Sequence, residues 1–109
     1  MVNKILTRAG IRYRETRFPS PPAAETYGVY TDDVTADGPD GINAIFTHDV
    51  TVELYEPKPD PKAEAALESS LDTAGLKWTK QARYWLPEEQ RYQVIYEFTY
   101  YEKRRIKNG

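Results

Sequence analysis

Apolar positions recur along this chain with two different periods. Through residues 91–101, RYQVIYEFTYY, every second residue is apolar or aromatic: Tyr92, Val94, Tyr96, Phe98 and Tyr100 share one face of a strand. Gln93, Ile95, Glu97, Thr99 and Tyr101 line the opposite, mixed face. The same period through residues 42–55 puts Phe46, His48, Val50, Val52 and Leu54 on one side, and Ile45, Thr47, Asp49, Thr51, Glu53 and Tyr55 on the other. Residues 26–34 predict a third strand, with Tyr27, Val29 and Thr31 opposed to Gly28 and Tyr30. IRYRETRF, residues 11–18, reads as an exposed strand ended by Pro19, Pro21 and Pro22, which cannot donate to a ladder. Residues 76–85 predict a further strand, joined to the last one by a turn at Pro87, Glu88 and Glu89.

Helical spacing appears twice. Val2, Ile5, Leu6 and Ala9 form a short apolar stripe that Gly10 ends. In DPKAEAALESSLDTAG, residues 60–75, Asp60 caps, Pro61 occupies the first turn where its missing N–H is harmless, and Gly75 terminates. Ala63, Ala66, Leu67, Ser70, Leu71 and Ala74 make the inward stripe, with Lys62, Glu64, Glu68 and Asp72 expected to face water. LTRAGIRY at 6–13 echoes LDTAGLKW at 71–78, either as one helix-stop solution used twice or as an α-β-β duplication. DDVTADGPDG, residues 32–41, reads as a polar loop, and EPKPDP as a stiff, extended linker. The expected fold is one α+β domain over residues 1–109: an antiparallel or mixed sheet with two helices on one face.

Composition narrows the function more than the fold. At 39% apolar, 29% charged and a net charge of −2, the chain suits a folded domain with no general pull toward nucleic acid or membranes. No apolar block of signal-peptide length opens it and no stretch could span a bilayer, so a cytoplasmic protein is the default expectation. Cysteine is absent, and with it any disulfide or thiolate chemistry. Ser20, Ser69, Ser70 and the sole histidine, His48, assemble no base–nucleophile pair. His48 shares its face with Val50, Val52 and Leu54, as a hydrogen-bonded, partly buried histidine would. A calcium loop beginning Asp33, Thr35, Asp37 fails where Ala44 stands in place of the closing glutamate. Glu53 and Glu97 lie on outward strand faces without the apolar surroundings that would divide their pKa values. No enzyme, cofactor or metal is expected. Arg8, Arg12, Arg14 and Arg17, with Lys103, Arg104, Arg105 and Lys107, are the only footprints for nucleic acid.

VTVELYEPKPDPKAEAALESSLDTAGLKW, then YWLPEEQRYQVIYEF, resemble the tail terminator (tail completion) proteins of long-tailed phages and prophages, and ILTRAGIRY is similar to that family's first helix and strand. The resemblance implies a tail-terminator-like fold and a structural part with no catalysis: a ring, usually hexameric, that caps the polymerised tail tube and offers a surface to the head. The implied partners are further copies of the chain, a tail tube protein and a head-completion or connector protein, with DNA only as passing cargo. The implied place is the head-proximal end of the tail, and the host cytoplasm during assembly. A ring subunit needs two different contact patches. The candidates are the acidic segment, Asp32, Asp33, Asp37 and Asp40, and the aromatic and basic end, Tyr101, Lys103, Arg104 and Arg105. The acids are expected either to face a DNA channel or to order against a neighbour. Another neck or head-completion connector is the alternative, as is a small nucleic-acid-binding module.

Overall fold

The two long alternating segments pair with each other along their whole length. A computed structural model describes residues 1–17, 24–37 and 43–105, with Asn43 and Arg105 described by backbone alone. The order is α1 (Val2–Ala9), β1 (Arg12–Glu15), β2 (Tyr27–Asp37), β3 (Asn43–Glu56), α2 (Pro61–Thr73), β4 (Trp78–Lys80), β5 (Tyr84–Leu86) and β6 (Arg91–Arg105). β3 runs antiparallel to β6 from Asn43 opposite Arg105 to Glu56 opposite Tyr92, and β2 lies antiparallel on its other side. β1 adds to β2 in parallel, while β4 and β5 occupy separate stretches of the outer edge of β6. The fold is thus α+β on a mixed, six-stranded sheet.

The alternation sets what the helices cover. Val50, Val52 and Leu54 of β3 and Val94, Tyr96 and Phe98 of β6 are buried in one cluster with Val2, Ile5 and Leu6 of α1 and Leu67 and Leu71 of α2. Burial of each such side chain contributes about 1.5–3 kcal/mol before chain entropy is counted. The Ser70 hydroxyl donates to the Ile5 carbonyl at 2.7 Å, tying α2 to α1 through a buried hydrogen bond. At Gly28 a Cβ would sit 3.4 Å from Ile11 Cγ2, so the small residue lets the turn after α1 approach the sheet closely.

Both helices stop in the same way, which explains the sequence echo. Gly10 and Gly75 each adopt φ 74°, and Ile11 and Leu76 donate back to the carbonyls of Leu6 and Leu71 at 3.1 Å. These are paired helix-end motifs. The strands that follow, β1 and β4, join the sheet in opposite senses, so the echo does not extend to a duplicated topology. At the other end of α2, Asp60 accepts from the Ala63 amide at 3.1 Å, as its capping position requires.

Four expectations are corrected. Residues 35–37, expected in the loop, extend the strand expected over 26–34 and form the end of β2, because pairing with β3 satisfies their backbone groups and outweighs local turn preference; Gly38 to Gly41, including Asp40, lie outside the described residues. The single strand expected over 76–85 is two short ones, interrupted where Arg83 turns toward Glu56 and Glu64. β6 continues beyond 101 to Arg105. Glu64, expected in water, is buried among cations that compensate it.

Candidate functional site

Beyond the row containing Val50, β2, β3 and β6 run on together past the hydrophobic cluster as a three-stranded arm. On its helix-side face stands His48. Its Nδ1 lies 2.9 Å from an Asp32 carboxylate oxygen on β2, and its Nε2 lies 2.9 Å from Glu102 on β6. The ring stacks on Tyr100 with centroids 4.2 Å apart and planes 10° from parallel. Burial alone would lower the His48 pKa, but hydrogen bonds to two carboxylates outweigh it and raise the value above 6.5. When protonated, the ring donates from both nitrogens and joins three strands across their width. Arg104 donates to Glu102 at 2.7 Å and lies over the Phe46 ring at 4.4 Å. With the His48 hydrogen bond, that contact holds the Glu102 carboxyl down to about 2.

The opposite face of the arm is arranged differently. Its rows read Asp33–Asp49–Thr99, Thr35–Thr47–Tyr101 and Asp37–Ile45–Lys103 across β2, β3 and β6. Tyr101 is 71% exposed and Ile45 47%, so this face offers apolar surface between an acidic flank and a basic one. Thr99 donates to Asp49 at 2.7 Å. Of the residues singled out from sequence, Asp33 and Asp37 come together on one flank, with Tyr101 and Lys103 on the other. Asp32 and Arg104 point to the His48 face instead. Arg105 ends β6, and Asp40 lies outside the described residues.

A second cluster escaped the sequence reading. Glu56 is fully buried, its Oε1 accepting from the Asp60 amide and from Arg83 Nε, both at 3.2 Å, while Oε2 has no partner. Arg83 reaches Glu64 at 2.7 Å, Lys80 bridges Glu64 and Glu68, and the Tyr96 hydroxyl donates to Glu68 at 2.7 Å. Burial, followed by the proximity of the Glu64 carboxylate, pushes the Glu56 pKa up to about 7. Burial opposes ionisation of Glu64 as well, but Glu56, Lys80 and Arg83 together lower its value. The two carboxyls are thus pushed apart, with Glu64, which meets both Lys80 and Arg83, the one that ionises more readily. One signal for this was present: position 56 continues the inward register of 50, 52 and 54.

On the open side of the sheet, Tyr27 and Tyr55 stack at 5.1 Å and Arg91 lies 5.1 Å over Tyr27, beside a cleft of about 400 Å³ that Glu53 and Glu89 also line. Tyr55 donates to Glu53 at 2.8 Å. Glu53 and Glu97 occupy that same face on adjacent strands, one row apart. Neither Ser70, bonded to Ile5, nor His48, held at both nitrogens, is arranged as half of a nucleophile–base pair. Ser20 lies outside the described residues. Among the described residues, no group of acidic and histidine side chains converges as a metal site, and no helix is long and apolar enough to cross a membrane.

Fold and surface define a class: an α+β domain with two helices on one face of a mixed sheet, and an arm of three strands carrying opposite charges on its two flanks. No protein-family model matches the chain, and no curated protein matches it. Among solved structures it is similar to a chain described as "Virion of native gene transfer agent (GTA) particle", with a TM-score of 0.57 and 17% sequence identity. The match covers 95% of this chain and 84% of that one. At this identity the likeness is one of fold.

Proposed function

We propose that the protein is a structural component of a phage-like virion, and within it a tail terminator: a ring of copies that caps the tail tube and forms the joint to the head. The observation that carries this reading is the fold likeness to a virion chain over nearly the whole length. The tail-terminator resemblance of the segments at 50–78 and 84–98 gives it its particular form. An inventory poor in reactive groups fits the same part, since a cap needs surfaces rather than chemistry. The protein works without a cofactor and turns over no substrate. Its partners are its own copies, a tail tube protein and a head-completion or connector protein. DNA passes through without being held.

Negative-stain imaging of the purified protein at high concentration, alone and with growing tail tubes, tests the reading. Rings on tube ends, and tubes that stop lengthening when the protein is added, support it. Rings that bind heads and ignore tubes would make it another neck connector. DNA binding that weakens steeply with salt, with no ring under any condition, would overturn it in favour of a nucleic-acid-binding module.

A further inference from the structure

The arm ends in two open edges of opposite charge. Among the described residues, β1 pairs with β2 only from Tyr27 to Tyr30, leaving positions 31–37 with β3 on one side and no strand on the other. β4 reaches β6 no further than Phe98, leaving 99–105 open in the same way. Unpaired edges of this length are templates for another strand, and single chains normally blunt them. Here the β2 edge carries Asp33 and Asp37 and the β6 edge carries Lys103, all exposed on the same face. Asp33 also sits directly opposite Asp49, an arrangement of like charges that destabilises a sheet unless a cation comes near.

We propose that the β6 edge of one copy pairs with the β2 edge of the next through residues 99–105 and 31–37, so that the sheet continues from subunit to subunit. This rests on the reading of the protein as a self-assembling virion part and says which surfaces make the joint. The geometry is restrictive. β2 and β6 both run antiparallel to β3, so they run in the same direction as each other. A rotation about an axis roughly along the strands preserves that direction, and the new pairing is parallel. Neighbouring residues in a sheet point to the same side, so odd-numbered residues of β2 must lie beside odd-numbered residues of β6. Thr35 beside Lys103 satisfies this, setting the lysine between Asp33 and Asp37 and placing Thr31 beside Thr99. The contact is heterologous, since each copy gives one edge and receives the other. It makes a ring if the rotation closes.

The absence of native cysteine makes a direct test simple. Within one chain, positions 31 and 99 are two strand spacings apart and two residues out of row, about 12 Å, too far for a disulfide. Beside each other across the joint they are about 4.8 Å apart, within disulfide reach. Oxidation of the Thr31→Cys, Thr99→Cys double variant should give a ladder of covalent multimers, while each single variant gives at most a dimer. Light scattering supplies the second arm. Lys103→Glu should dissociate the assembly, as should Asp33→Lys with Asp37→Lys. Mixing those two proteins should restore it, because each then meets a complementary edge. Circular dichroism confirms that the variants fold. An assembly that survives both reversals and gives no ladder overturns the edge joint and leaves the ring reading standing. A wild type that remains monomeric alone and on tail tubes overturns both.

Discussion

His48 binds Asp32 through Nδ1 at 2.9 Å, a contact between adjacent strands that places a charged pair where the sheet leaves its hydrophobic cluster. The pKa of His48 is raised above 6.5, so the clamp's stabilisation is complete below that unfolded value and disappears as pH climbs through the folded one. His48→Gln should cost about 1–3 kcal/mol at pH 5.5, because Asp32 is left without its cation. Urea melts at pH 5.5 and pH 9 should show that cost shrinking at the higher pH. A cost that is the same at both would mean the ring is neutral throughout.

Glu56 gives a pH dependence that a different variant removes. Its pKa rises from 4.5 to about 7 in the folded protein, so folding takes up a proton between those values. Stability from this source is full below the unfolded value and is lost as pH rises through the folded one. Glu56→Gln should flatten the stability profile between pH 5 and pH 8. An unchanged slope would assign the proton to another group.

Phe98 is buried in the central cluster and Thr99, the next residue, is exposed on the other face. Phe98→Ala should destabilise by roughly 3–5 kcal/mol through the cavity it leaves. Thr99→Ala loses only its exposed bond to Asp49 and should stay within about 0.5 kcal/mol of wild type. Comparable losses for the two would mean the alternation is misassigned.

The aspartates of β2 divide by face. Asp33→Asn with Asp37→Asn should leave the isolated subunit as stable as wild type, or a few tenths of a kcal/mol more stable, since Asp33 faces Asp49. Asp32→Asn should destabilise it, because Asp32 is the carboxylate that His48 holds. Thermal melts of the two proteins, recorded below pH 6, decide the point. Equal stability would place Asp32 in solvent with the others.

Local order was legible residue by residue. The inward set Val50, Val52, Leu54, Val94, Tyr96 and Phe98, the Asp60 cap and the Gly10 and Gly75 stops all follow from preferences that near neighbours carry. For the same reason DDVTAD reads as the start of a loop, although its first half also continues the strand before it. Its turn-forming residues are local facts, whereas the strand it joins is decided by β3 running alongside it. The contact patches were half legible: acid and base could be located, but not that Asp32 and Arg104 turn one way while Asp33, Asp37 and Lys103 turn the other.

By itself, the sequence determined the two periods, the helix ends and the α+β class, because each depends on contacts within a few residues. Only the tertiary structure decided that β1 lies parallel to β2, that Glu56 meets Glu64 and Arg83, and that His48 lies between Asp32 and Glu102. Those partners are far apart along the chain. The strand partners meet through register, which is set by the sheet as a whole, and Glu56 meets its partners through the packing of α2 and the segment before β5 against that sheet.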